Sequence, residues 1–342
     1  MARRLIDLDI PIIQAPMAGG ITTPELVAAV SNAGAMGSLG AGYMEPNEIR
    51  ITIRKIKSLT NKPFNVNLFI PEHSNSTYDL SLINKLLLPL WQELSDAPFE
   101  TADFKPPSFD DQIAVILEEK VPVFSFTFGI PPSSIIERFK TQDTLIVGTA
   151  TSPEEAEKLE NAGVDAIVCQ GQEAGGHRGT FSSQDSLYGL LTLLLLTKEK
   201  VKTSLIAAGG IMDGRSAAAT FLIGACAAQL GTAFLTTTES GASATYKEAL
   251  LKTPHLPTAL TNAFTGKTAR AIVNTFMQKL EGQAIPPYPI QHFLTHKLRS
   301  LAAQKNRSDL MSLWAGQGYP LCRPISAAAL VHQIVEELER IL

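Results

Sequence analysis

The chain has 342 residues, 45% of them hydrophobic and 18% charged, with a formal net charge of −4; this is the profile of an ordinary soluble globular protein, large enough for one large domain or two ordinary ones. No Lys/Arg cluster is dense enough to neutralise a row of phosphates, so nucleic acid is excluded as a partner. Three widely spaced cysteines, Cys169, Cys226 and Cys322, leave no disulfide framework and no CxxC metal pattern.

The N-terminal Met1-Ala2-Arg3-Arg4-Leu5 is a poor signal peptide, and the run Leu187 to Leu196 is about half of what a bilayer span needs. That run is expected to be a buried helix, and the chain to be cytoplasmic and without a membrane.

In chain order, short apolar or glycine-ended runs predict strands at 11–16, 36–40, 64–69, 121–129, 145–150, 166–171, 204–210 and 227–234. Helical stretches follow most of them. Thr23 caps one with Pro24 in its first turn, and Ser152-Pro153-Glu154-Glu155 opens another with acids suited to the helix dipole. Asp213 caps a segment through Phe221 that Gly224 ends. The widest gap between strands, Pro71 to Asp111, is expected to carry the third helix and an excursion over the sheet. Eight strand–helix units predict an α/β fold, a closed (β/α)8 TIM barrel. The open dinucleotide-binding alternative lacks its Gly-x-Gly-x-x-Gly, since Ala15-Pro16-Met17-Ala18-Gly19-Gly20 follows the first strand. Residues 1–253 make the barrel, and 254–342 read as a smaller helical subdomain, broken at Pro286-Pro287-Tyr288-Pro289 and ending in an amphipathic helix.

Active sites of such barrels lie at the C-terminal strand ends, and the unusual residues gather there. Gln14 to Gly19 close the first strand and Asn67 the third. Gln170 and the glycine loop Gly171 to Gly179 close the sixth, Gly209-Gly210 the seventh, and Gln229-Leu230-Gly231-Thr232 the eighth. Buried unpaired amides cost about 1–3 kcal/mol each, so Asn67, Gln170 and Gln229 need partners, which a heteroaromatic ligand would supply. Backbone N–H groups of Gly209, Gly210, Gly231 and Thr232 suit a phosphate. Together they describe a planar, phosphorylated cofactor, flavin mononucleotide (FMN). Taken singly, Gly209-Gly210 could merely turn the chain, and Gln14 or Asn67 could cap a neighbouring strand. His177, amid glycines, is the candidate catalytic group, with an ordinary pKa of about 6.5. His73, His255, His292, His296 and His332 are expected to be incidental, Glu173 and Asp213 to cap or face solvent, and Cys169 and Cys226 to be core. The apolar run Val123 to Phe128 is expected to line a pocket with alternate residues.

With these residues in hand, the chain resembles the nitronate monooxygenase family. The likeness runs through PIIQAPMAGG (11–20), PFNVNLF (63–69), VPVFSFTFG (121–129), GVDAIVCQGQEAGGHRG (163–179), IAAGGIMDGR (206–215), QLGTAFLTTTES (229–240) and LWAGQG (313–318). It implies an FMN barrel with a smaller helical domain. It places Pro16, Met17 and Ala18 beside the isoalloxazine, Asn67 and Gln170 on the ring or ribityl chain, and Gly175, Gly210 and Gln229 to Thr232 around the rest. His177 would face the substrate, to donate a hydrogen bond to nitronate oxygens or to serve as a base toward a neutral nitroalkane. Trp314 to Gly318, including Gln317, would return with Tyr319 to cover the flavin; the roles of Tyr319 and Arg323 stay open.

The implied reaction oxidises alkyl nitronates such as propionate 3-nitronate with dioxygen to a carbonyl compound and nitrite. The partners are then a small anionic substrate and dioxygen, in a monomer or homodimer. Three alternatives stand beside it: an FMN-dependent enoyl-acyl-carrier-protein reductase using NAD(P)H, a quinone reductase on the same fold, and a barrel that binds its ligand without catalysis.

Overall fold

A computed structural model describes residues 8, 10–71, 79–99, 106–182 and 184–341; His73 and Met1 to Leu5 lie outside them. The elements run β1 (Ile12–Gln14), α1 (Pro24–Asn32), β2 (Gly37–Gly40), α2 (Pro46–Leu59), β3 (Phe64–Phe69), α3 (Ser81–Gln92), α4 (Phe109–Glu118), β4 (Val123–Thr127), α5 (Ser133–Lys140), β5 (Leu145–Ala150), α6 (Pro153–Asn161) and β6 (Ala166–Gln170). Then come β7 (Gly176–His177), α7 (Leu190–Lys200), β8 (Ser204–Ala208), α8 (Gly214–Leu222), β9 (Ala227–Leu230), α9 (Ala244–Lys252), β10 (Thr258–Thr261), β11 (Ala269–Ile272), α10 (Thr275–Leu280), α11 (Ile290–Gln304) and α12 (Ala327–Glu339).

Eight of these strands form one parallel sheet in the order β1-β9-β8-β6-β5-β4-β3-β2. The two ends meet through a bridge between Ile13 and Met36. At this seam the Gln14 side chain continues the ladder: Ser38 N–H donates to Gln14 Oε1 at 2.9 Å, and Gln14 Nε2 donates to Ser38 O at 3.2 Å. The fold is the expected (β/α)8 barrel.

Helix starts follow the local chemistry. Thr23, Ser152 and Asp213 each accept a backbone N–H three residues on, from Leu26, Glu155 and Ser216. Gly224, at φ +99°, ends the α8 turn in a conformation that side chains rarely adopt.

Alternation along the strands divides the barrel's inside from its outside. Inward, Ile13, Met36, Val123, Val168, Ile206 and Ala227 fill the lower interior. Nearer the C-terminal ends the inward residues turn polar: Asn65, Asn67, Ser125, Thr127, Thr149, Gln170 and Gln229 line a cavity. Outward, Phe124 and Phe126 join the core beneath the helices, and Phe124 stacks on Phe139 at 4.3 Å. The run 123–128 thus gives Ser125, Thr127 and Phe128 to the cavity and its other phenylalanines to the helices.

A second core lies over the barrel mouth. It joins α3, α9, α10 and α11 with an antiparallel sheet, β10-β11-β7, so the lobe expected to be helical also holds a sheet. The two cores interleave along the chain. Helix α3 packs on α10 and α11, leaving α4 as the barrel's third helix beside α2 and α5. Near the other end, α12 packs on α1 and α8 of the barrel.

Two expectations about burial fail. Of the Leu187–Leu196 run only Leu190 to Leu196 are helical, in α7, and Leu187, Leu191, Leu195 and Leu196 are exposed, because only one face of the helix meets the barrel. Cys169 is core, whereas Cys226 is exposed in the turn that leads into β9.

Candidate active site

A cavity of about 570 Å³ opens at the C-terminal ends of the barrel strands, between barrel and second lobe, within the usual size range for small-molecule and cofactor sites. Of the residues singled out from sequence, Pro16, Met17, Ala18, Asn67, Gln170, Gly175, His177, Gly209, Gly210, Gln229, Gly231 and Thr232 all line it. Two do not. Leu230 is wholly buried in the barrel core, its side chain directed away from the mouth. Gln317 is exposed and contributes only its backbone N–H, donated to Glu173 O at 2.9 Å.

The glycine loop after β6 faces the cavity on one side and is held by protein on the other. Gln170 donates from Nε2 to His177 O at 3.0 Å and accepts at Oε1 from Gly179 N–H at 2.8 Å. Its amide is therefore satisfied inside the loop and needs no ligand, contrary to expectation. Behind the loop, the fully buried Arg178 donates to the carbonyls of Gln170 (3.0 Å) and Gly171 (2.8 Å) and pairs with Asp185 at 2.8 Å. Arg270 adds a bond to Gln172 O at 2.8 Å. Glu173 accepts from Leu190 N–H at 3.0 Å and so caps α7.

Strand β7 then pairs with β11, His177 opposite Ala269. The second lobe thereby fixes the histidine over the barrel mouth. Gly175 and Gly316 touch: a Cβ on Gly175 would fall 2.4 Å from Gly316 N, and one on Gly316 would fall 3.1 Å from Gly175 N. Only glycines permit the 313–318 segment to close against this loop.

The His177 ring sits among Phe128, Tyr288 and Trp314, with centroids at 5.9, 6.3 and 5.2 Å. Its Nε2 is 2.9 Å from Thr265 Oγ1, a bond whose direction depends on which ring nitrogen holds the proton; the same hydroxyl lies 3.2 Å from Lys267 O. Burial, reinforced by the positive charges of Lys267 and Arg299, pulls the imidazole pKa down to about 3. The shift from the unperturbed value of about 6.5 favours the neutral ring. Phe128 holds its ring beside His177 from a left-handed backbone, φ +76°, a strained conformation of the kind that collects at functional sites.

Other histidines matter more than their sequence context implied. His292 and His296 line the cavity along α11, and His292 stacks on Tyr43 at 4.4 Å. Their signal was the four-residue spacing of His292 and His296, which puts both on one helix face, toward the mouth. His255 and His332 are exposed, as expected. Tyr319 and Arg323 stand outside the cavity: the Tyr319 hydroxyl donates to Leu256 O at 2.7 Å, and Arg323 pairs with Glu337 at 2.7 Å.

The remaining groups suit a flat, phosphate-bearing cofactor. Asn67 Nδ2 donates to Ser125 Oγ at 2.9 Å. One layer deeper, Asn65 Oδ1 is buried at the cavity floor without a partner, a polar atom that costs free energy until a donor arrives. Gly209 and Gly210, at φ +118° and +71°, and Gly231 form a side-chain-free rim. Thr232 Oγ1 accepts from Gly316 N–H at 3.0 Å and keeps its own proton to donate. No group of His, Cys, Asp and Glu among the described residues could hold a metal ion, and no helix among them is long and apolar enough to cross a membrane.

Comparison with known proteins gives a consistent picture. The nitronate monooxygenase family profile matches residues 3–337. A probable nitronate monooxygenase of Staphylococcus saprophyticus is 42% identical over 99% of this chain and 97% of its own; one from Staphylococcus haemolyticus is 40% identical over 98% and 96%. Among solved structures, nitroalkane oxidase from Streptomyces ansochromogenes superposes with a TM-score of 0.94 at 41% identity, covering 99% of this chain and 98% of that one. FabK from Thermotoga maritima superposes with a TM-score of 0.73 at 28% identity, covering 98% and 94%.

Proposed function

Because the chain belongs to the nitronate monooxygenase family and is a flavin oxidoreductase, we propose that it uses FMN and dioxygen to oxidise alkyl nitronates to a carbonyl compound and nitrite. The observation that carries this reading is the desolvated His177 on the wall of a cavity whose rim is bare glycine backbone. Gly209, Gly210, Gly231 and Thr232 would hold the phosphate. Pro16 to Ala18 would lie beside the ring, with Asn65, Asn67 and Gln229 offering it amide groups. Redox chemistry with dioxygen is what bound FMN supplies.

The protein's share is binding and electrostatics. In this reading the Thr265 proton turns from Lys267 O, at 3.2 Å, to His177 Nε2, at 2.9 Å, so the ring proton sits on Nδ1 and is offered to a nitronate oxygen. Burial disfavours the charged imidazole, which suits a hydrogen bond to a preformed nitronate. The likeness to nitroalkane oxidase supports the neutral nitroalkane as a second substrate, toward which His177 would act as base. Phe128, Tyr288 and Trp314 keep water from the reacting carbon, which strengthens the charge interactions there.

The likeness to FabK supports a second reading, an NAD(P)H-using reductase, such as an enoyl-acyl-carrier-protein or quinone reductase. One experiment separates the two. Purified flavin-loaded protein is mixed anaerobically with NADH or NADPH, then aerobically with an alkyl nitronate. The nitronate reading expects oxygen uptake with nitrite release, and a visible flavin band left unbleached by nicotinamide. Fast bleaching without nitronate-dependent uptake makes it a reductase.

A further inference from the structure

Among the described residues, those that line the cavity and are also exposed fall in two groups. Gly210 belongs to the rim proposed for the phosphate, where bound cofactor would cover it. Gly19, Gly241, Ser243, His296 and Ser300 lie elsewhere, around a slot between the barrel and α11. With the rim covered, this slot is what leaves the cavity open to solvent.

Both lips of the slot are rigid. On the barrel side, Gly241 N–H donates to Ile21 O at 2.9 Å, and a Cβ on Gly241 would fall 2.0 Å from Gly20 O. Thr23 Oγ1 ties the same two segments by donating to Glu239 O at 2.7 Å. This lip is therefore backbone packed on backbone, a contact that only glycine permits. The other lip is one face of α11, formed by His296, Ser300 and Ala303, which follow one another at helical spacing. The opposite face of the helix, with Leu294, Leu298 and Ala302, is fixed in the second core, and a packed core does not yield by degrees. The lips join where Thr245 Oγ1 donates to Asn306 Oδ1.

The slot leads to the imidazole. Arg299, next to Ser300, donates to Ser312 Oγ at 3.3 Å, and two residues on from Ser312 the Trp314 ring lies 5.2 Å from His177. Ser312 and Trp314 both line the cavity. Ser300 and Ala303 thus put two small side chains at the entrance to that wall.

Resting on the nitronate reading, we infer that the slot is the passage between solvent and His177, and that Ser300 and Ala303 set its width, so that slender nitronates enter faster than bulky ones. Because neither lip can move aside, added bulk at these two positions narrows the passage instead of being absorbed.

The test uses flavin-loaded Ser300→Phe and Ala303→Phe. The second-order rate constant for the anaerobic reaction with ethyl nitronate, followed at the visible flavin band, should fall about tenfold or more in each. The loss should be larger for hexyl-1-nitronate, while the rate at saturation stays within about twofold of wild type. An unchanged second-order constant in either variant overturns the inference. So does a loss confined to the rate at saturation, which would place these residues at the reacting centre.

Should a phenylalanine variant not fold, Ser300→Cys labelled after folding with benzyl methanethiosulfonate replaces it, beside wild type treated alike. The same tenfold loss on labelling supports the passage, and no loss overturns it. If wild type reacts with no nitronate, the nitronate reading fails. The slot is then tested separately by anaerobic bleaching of the flavin with dithionite: slower bleaching in both variants supports it, and wild-type bleaching in either overturns it.

Discussion

Gln170 grips the backbone on both sides of Arg178: its amide nitrogen donates to His177 O at 3.0 Å, and its amide oxygen accepts from Gly179 N–H at 2.8 Å. The strand-end glutamine therefore acts as a clamp on the loop that presents the imidazole. Gln170→Leu removes both bonds and leaves two backbone groups without partners. Urea unfolding should show a loss of about 1–3 kcal/mol. Turnover should fall about 10- to 100-fold, because a displaced His177 loses its alignment with the reacting atoms. Wild-type turnover in this variant would show that the clamp does not set the histidine.

Arg178 is the buried counterpart of that clamp. Its side chain has no solvent exposure, against 15% for Asp185, and it serves two carbonyls besides the carboxylate. Arg178→Met should cost about 3–5 kcal/mol, since it strands a largely buried carboxylate and two carbonyls. Thermal melting of the flavin-loaded protein measures it; a drop of only a degree or two would place the loop's support elsewhere.

Much of this arrangement was legible in the residues. Each of the eight barrel strands was marked by a short apolar or glycine-ended run, and Thr23, Ser152 and Asp213 marked helix starts because a cap must accept orphan N–H groups. Strand ends could be located because the barrel interior changes from Val168 to Gln170, and from Ala227 to Gln229, within two residues. What stayed hidden depended on contacts distant in sequence. Nothing in Gly176-His177 tells that it will pair with Ala269-Arg270, or that α3 leaves the barrel for the second lobe. The slot beside Ser300 and Ala303 was equally opaque, since its two lips are distant in sequence. Leu230 and Gln317 were misplaced for a simpler reason: within a site-forming segment, alternate side chains point away.

Gly175 tests the closure of the 313–318 segment. A methyl group there would fall 2.4 Å from Gly316 N and 2.6 Å from the Ala315 carbonyl carbon, both backbone atoms with no side-chain freedom to yield. Gly175→Ala should push the two loops apart and weaken flavin retention at least tenfold, measured by equilibrium dialysis. Retention equal to wild type would mean that this contact does not shape the site.

Acid sensitivity follows from the buried rings. His177 and His292 have folded pKa values pulled down to about 3 and about 2, chiefly by burial, below the unfolded value of about 6.5. The unfolded chain therefore takes up protons first as pH falls. The stability these rings contribute is whole above about pH 6.5 and is lost as pH drops from there toward 3. The slope is up to about 1.4 kcal/mol per pH unit for each ring. Unfolding free energies at pH 7.5, 6 and 5 should fall accordingly, and His177→Asn should flatten the dependence. A curve level down to pH 5 would show that the rings are solvated.

The most direct measurement is oxygen consumption by wild type and His177→Asn at matched flavin content, with an alkyl nitronate and no nicotinamide. Wild type should take up oxygen and release nitrite, and the variant should keep its flavin while losing at least about 100-fold in rate. A wild type that consumes no oxygen, or a variant that matches it, would contradict the assignment of a nitronate-binding imidazole above the flavin.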